Sequence, residues 1–148
     1  MHNPSVQLKT AVRLIQKEIG VVMRKSAVYT TAAWGTTTQP DFLNQVLIVQ
    51  SKLSPETMME TILGIEKKMG RIRTVKNAPR IIDIDILFYN KDIIKTNSLT
   101  IPHPFLQERN FVLTPLNELS PQFVHPVFKK NIHHLYLKCK DLLAVKKK

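Results

Sequence analysis

The sequence predicts an α/β (α+β) sandwich with the element order βαββαβ, its first strand missing, followed by a C-terminal extension. Three observations carry that expectation. A helix-spaced apolar stripe begins almost at the first residue, with no strand before it. Two apolar runs joined by a Thr-rich loop then lead into a second helix with its own capping residue. After that helix, "PRIIDIDILFYN" (79–90) alternates apolar and acidic residues at the period of a strand. With 148 residues, the chain is read as one domain, 1–148, long enough to bury a core.

Taken in order, "VQLKTAVRLIQKEI" (6–19) has Val6, Ala11, Val12, Leu14, Ile15 and Ile19 on one helical face, and Gly20 fits a stop. "VVMRKSAVYT" (21–30) and "FLNQVLIVQ" (42–50) read as strands, separated by the loop "TAAWGTTTQPD" (31–41). Ser54 then caps a helix that Pro55 opens, with Glu56 in its first turn and Gly70 at its end. A basic loop (70–80) precedes the Ile-rich strand. Beyond it come a short extended pair (93–95 and 99–101), a Pro-rich bend and a short extended piece, Phe111–Leu113. The final 25 or so residues suggest a helix or two, with about 136–148 as a frayed basic tail.

Hydrophobic content of 43% is ordinary for a water-soluble domain, and no apolar run reaches the length of a membrane span. Cys139 stands alone, which excludes an internal disulfide and argues against a zinc site. No secretory signal pattern opens the chain. The expectation is a reduced, cytoplasmic monomer with no membrane partner. The net charge of +11 points to an anionic partner, although scattered surface lysines and the terminal Lys146–Lys148 account for part of it.

The chain has four glycines and neither a GxxxxGK[ST] nor a GxGxxG motif. Any bound phosphate must therefore be held by side chains and metal. The candidates cluster: Arg71, Arg73, Lys76 and Arg80 immediately precede Asp83 and Asp85. In a strand, Asp83 and Asp85 share one face, with Cα atoms roughly 6.6 Å apart, opposite the Ile82–Ile84–Ile86–Phe88 face. Two such carboxylates repel unless a cation lies between them, and a pair of Mg²⁺ ions bridged to polyphosphate would satisfy both them and the arginines. The plainer alternative is an acidic outer face paired with the neighbouring arginines. His103 in "IPHPFLQERNF" sits in a rigid loop, where a hydrogen-bonded structural role is the plainer alternative. Phe42 and Phe111 are core aromatics by default, yet each opens a segment just after a loop, where a flat ligand could stack. Trp34 lies in a polar loop and suggests a contact site or lid. His125, and the adjacent His133 and His134, read as structural.

"RIRTVKNAPRIIDIDILFYN" and "LTIPHPFLQERNFVLTPLNELSP" resemble the 6-hydroxymethyl-7,8-dihydropterin pyrophosphokinase family of folate biosynthesis, and the resemblance covers roughly residues 4–135. It implies a ferredoxin-like fold, ATP as co-substrate, and transfer of the β,γ-pyrophosphoryl unit to the pterin hydroxymethyl oxygen with release of AMP. By the same resemblance, Asp83 and Asp85 match ligands of two Mg²⁺ ions, and Arg71 and Arg80 match catalytic phosphate-steadying positions. Arg73, His103 and Arg109 match ATP contacts. Phe42 and Phe111 match the aromatics around the pterin, and Asn44 and Thr31 line its pocket.

Some features depart from the family pattern. Its first strand, ending in a Gly-Ser-Asn type turn, would lie just before "MHNPSVQL". That strand is a middle one of the sheet, so its loss should leave unpaired backbone. Asn77-Ala78 stands where many relatives carry Trp-Gly, and Pro104 where some carry an aromatic residue. A truncated, inactive relative is one alternative reading. A basic nucleic-acid-binding module of the same topology is another, disfavoured because carboxylates on the strand face would repel a phosphate backbone.

Overall fold

The computed structural model describes residues 3–31, 42–71 and 82–148. The described residues divide into two units, one within Met1–Met23 and Ile48–Asp85 and the other within Arg24–Leu47 and Ile86–Lys148.

In the first unit, helix α1 (Pro4–Glu18) starts earlier than its apolar stripe suggests. Asn3 caps it by accepting from the Ser5 and Val6 amides at 3.0 and 3.3 Å, and Pro4 fits the first turn because its missing N–H needs no partner there. Ala11, Ile15 and Ile19 are buried, whereas Val6 is exposed. Helix α2 (Pro55–Glu66) begins at the expected Ser54, whose hydroxyl accepts from the Thr57 amide at 3.2 Å. It ends at Glu66 in a wider turn, Lys67–Arg71. Helices α1 and α2 pack together, and Ile62 and Ile65 are the buried side chains of α2.

Each of the two long strands expected from the sequence is broken in two. Residues 20–31 form β1 (Gly20–Lys25) and β2 (Tyr29–Thr31), and residues 42–51 form β3 (Phe42–Asn44) and β4 (Leu47–Ser51). Strand β1 pairs with β4, while β2 pairs antiparallel with β3, Thr31 opposite Phe42 and Tyr29 opposite Asn44. The breaks have a visible cause. Buried Ser26 accepts from the Val46 amide through its hydroxyl at 3.0 Å and donates that hydroxyl to the Ala27 carbonyl at 2.7 Å. The Gln45 side-chain amide donates to the Ser26 carbonyl at 2.7 Å. Side chains thus take over backbone partners that a continuous ladder would have used. At the start of β1, a Cβ on Gly20 would lie 2.1 Å from the Gln50 carbonyl oxygen, so only glycine allows this close approach of β1 to β4.

The second unit is built on the sheet β3–β2–β7, in which β7 (Val145–Lys147) pairs antiparallel with β2, Tyr29 opposite Lys147 and Thr31 opposite Val145. The end of the segment expected to fray, about 136–148, is therefore a sheet strand, and the Lys148 amide donates to the Val28 carbonyl at 2.8 Å. Helix α3 (Asn110–Leu119) packs across all three strands and against α4 (Ile132–Lys138). It replaces the extended piece expected at Phe111–Leu113. Leu113, Leu116 and Leu119 recur at helical spacing and are buried, and the interior Pro115 is buried with them. Leu106, Leu113, Leu116 and Ile132 form the core, flanked by Val46, Leu87, Phe88, Phe123 and Leu135. A short hairpin, β5 (Ile94–Lys95) with β6 (Thr100–Ile101), completes the unit.

Residues 82–88 differ from expectation in pairing but not in facing. They form no ladder among the described residues, yet Asp83 and Asp85 are exposed while Ile82, Ile84 and Ile86 are more covered. Facing is set by where the isoleucines find apolar cover, so it survives without the ladder.

Candidate active site

In the first unit, the side chains of Asp83 and Asp85 lie exposed on one face of their segment. Between them, the Ile84 amide donates to Glu66 at 2.8 Å. Glu66 ends α2 and is only 4% exposed, so a buried carboxylate holds the backbone midway between the two aspartates. It supplies the partner that the missing ladder does not. Two exposed carboxylates on one face are a hard-oxygen donor set of the kind that Mg²⁺ prefers. Arg71 closes the turn after α2, and its side chain is outside the described residues, as are Arg73, Lys76 and Arg80 in segment 72–81 and Trp34 in segment 32–41.

In the second unit, the sheet and α3 gather the other candidates. Thr31 is buried at the end of β2, and its hydroxyl accepts from the Asn44 side-chain amide across the sheet at 3.1 Å. Phe42 opens β3 and is 55% exposed, an unusual degree for a large aromatic ring. Phe111 lies in the first turn of α3, half-buried, with the Arg109 guanidinium 5.7 Å from its ring centre. The same guanidinium lies 5.3 Å from the ring centre of the exposed Phe105, so Arg109 sits against two aromatic rings. His103 is fixed nearby. Its amide donates to the Leu87 carbonyl at 3.0 Å, and its Nδ1 accepts from the Phe105 amide at 3.2 Å. With Nδ1 accepting, the neutral ring carries its proton on Nε2. Thr31, Phe42, Asn44 and Phe111 are thus brought onto one sheet–helix layer, and His103 and Arg109 onto the loop that enters α3.

Three supporting residues went unrecognised in the sequence. The first is Glu66, the buried acceptor for the Ile84 amide. Glu118 accepts from the Tyr29 hydroxyl at 2.6 Å and from the Ala27 amide at 3.2 Å, tying α3 to β2. Burial and this carboxylate push the Tyr29 hydroxyl up to about 12, while the Tyr29 hydrogen bond is the main reason Glu118 is held below the usual carboxylate range. The third, Asp141, accepts from the Asn110 amide at 3.0 Å. Each of these contacts spans 18 residues or more of sequence, so no local spacing announces it.

The architecture is that of a ferredoxin-like α+β domain of the pyrophosphokinase type. A crystal structure of Plasmodium falciparum HPPK-DHPS aligns with a TM-score of 0.71 at 20% identity, over 92% of this chain and 41% of that one. The chain belongs to the 7,8-dihydro-6-hydroxymethylpterin-pyrophosphokinase (HPPK) family, whose match extends over residues 1–121. It is 44% identical over 105 residues to the 2-amino-4-hydroxy-6-hydroxymethyldihydropteridine pyrophosphokinase of Aquifex aeolicus, covering 71% of this chain and 66% of that protein. It is 43% identical over 114 residues to the enzyme of the same name from Synechocystis, covering 77% of this chain and 58% of that one. The chain thus spans somewhat under two thirds of the length of these bacterial relatives.

Proposed function

We propose that this chain transfers the pyrophosphoryl unit of ATP to 6-hydroxymethyl-7,8-dihydropterin, releasing AMP, as a step in the making of folate. The observation that carries this reading is the exposed pair Asp83 and Asp85 on one face, held through the Ile84 amide by buried Glu66. Asp83 and Asp85 would hold two Mg²⁺ ions, which when bound would neutralise charge on the polyphosphate. In the reaction, the pterin hydroxymethyl oxygen forms a bond to the β-phosphorus. The bond from that phosphorus to the α,β-bridging oxygen breaks, AMP carries away the electron pair, and the hydroxyl proton is lost to water.

The chain's own residues have positioning and electrostatic roles. Phe42 and Phe111 offer ring faces to a flat heterocycle, and Asn44 and Thr31 offer polar groups to its edge. His103, Arg109 and Arg73 contact ATP. Arg71 and Arg80 steady the phosphates as negative charge shifts towards the leaving oxygen. No nucleophilic side chain is needed, because the acceptor is the substrate's own hydroxyl. The protein acts as a monomer in the cytoplasm, with neither nucleic acid nor membrane as a partner.

The test is pterin-dependent AMP formation from Mg·ATP by the parent chain and by Asp83→Asn and Asp85→Asn. Each variant should lose about a thousandfold in kcat/KM, the scale expected for removing an electrostatic contact to transferring phosphate. Melting temperatures should stay within a few degrees, since both side chains are exposed. Full turnover by either variant would remove the carboxylate pair from the mechanism.

A further inference from the structure

Helix α3 has an unusual start. Its N-cap position is Arg109, which makes no side-chain cap hydrogen bond. Arginine cannot make one, because a guanidinium only donates. The first turn of a helix nonetheless presents amides that need acceptors and a positive end that favours an anion. Here both come from the far end of the chain. The Asp141 Oδ2 accepts from the Asn110 amide at 3.0 Å, and the Asp141 carbonyl accepts from the Asn110 side-chain amide at 2.8 Å. The other carboxylate oxygen, Oδ1, accepts from the Leu143 amide at 3.0 Å, which turns the chain towards β7. Strand β7 then pairs residue for residue with β2, setting Val145 opposite Thr31.

We infer that Asp141 is a positioning residue for the pterin subsite, acting as a cap supplied from the C-terminal segment that fixes the first turn of α3 and so the ring of Phe111. The inference rests on the proposed function. It concerns a segment beyond residue 121, where the family match ends. Asn110, which Asp141 holds by backbone and side chain together, lies between Arg109 and Phe111. Losing Asp141 frees the first turn to fray, and the ring that begins the helix moves with it. Arg109 is less dependent on this cap, because its guanidinium also rests on the ring of Phe105.

The test is a double-mutant cycle between Asp141→Ala and Phe111→Ala, read by fluorescence titration with 6-hydroxymethylpterin and by the KM for ATP. In the parent background, Asp141→Ala should weaken pterin binding about tenfold and leave the ATP KM within about twofold, the scale of losing one helix cap. In the Phe111→Ala background it should change pterin binding less than twofold. Asp141→Asn, which keeps an accepting oxygen, should restore most of the affinity. Hydrogen exchange at the Asn110–Leu113 amides should quicken in Asp141→Ala and not in Asp141→Asn. An equal loss of pterin binding in both backgrounds, or no loss in the parent background, would overturn the inference, as would unchanged exchange at those amides. If the parent chain binds no pterin, the proposed function falls, while exchange alone still decides whether Asp141 sets the start of α3.

Discussion

His125 shows how far one residue's environment can depart from its place in the sequence. It is 2% exposed, its Nδ1 accepts from the Val127 and Phe128 amides at 3.1 and 3.2 Å, and its ring packs against Phe88 and Phe128. Its Nε2 has no partner among the described residues. Burial pushes the imidazole below its ordinary value, because charging it would strand a cation in the core. The unfolded chain therefore takes up a proton at a higher pH than the folded one does. The stability contributed by neutral His125 is complete above about pH 6.5 and declines as pH falls below it. Urea melts at pH 7.5 and 5.5 should show the parent losing up to about 1.4 kcal/mol more than His125→Asn, the linkage limit for one proton over that window. Equal pH dependence in the two proteins would contradict this. The structural reading of His125 was available from the sequence. Its orphaned nitrogen was not, because that depends on the fold of residues 123–132 around it.

Asp83 and Asp85 were legible for a different reason. The alternation of isoleucine with aspartate states which side faces apolar cover, and that facing holds although no ladder forms among the described residues. What the pattern cannot state is how the backbone between them is held, since Glu66 lies 18 residues away. Phe42, His103 and Phe111 stand out by their place beside loops, while Thr31, Asn44 and Arg109 are singled out only by the family resemblance.

At the scale of elements, helices with a cap and a stop were readable, and long strands were not. Ser54 and Pro55 mark the start of α2 because capping chemistry is local. The division of 20–31 and 42–51 into four strands depends on Ser26, Gln45 and Val46 meeting across the sheet, which no window of sequence reveals. Helix α3 stands where the sequence suggests an extended piece at Phe111–Leu113, and the leucine spacing at 113, 116 and 119 is the helical signal. The tie between α3 and β2 is the pair Glu118 and Tyr29. Tyr29→Phe should cost about 1 kcal/mol in a urea melt, the usual worth of a partly buried hydrogen bond. Glu118→Ala should cost more, because the Ala27 amide loses its acceptor as well. A double variant should fall short of the sum of the two single ones. Strict additivity would mean that the two groups do not act as one tie.

For the whole molecule, the order of elements predicted the α+β class correctly, and the resemblance specified the family. The basic C-terminal residues carried no such signal. Lysine-rich ends read as solvated tails, and only pairing with β2 makes 145–147 a strand. The net charge of +11 suits a polyanionic substrate without identifying one. What identifies it is the fate of each phosphorus atom. The most direct test incubates the chain with Mg·ATP labelled separately at the α-, β- and γ-phosphorus, together with 6-hydroxymethyl-7,8-dihydropterin. The β and γ labels should both move to the pterin product while the α label stays in AMP. Transfer of the γ label alone with release of ADP, or no pterin-dependent transfer at all, would contradict it.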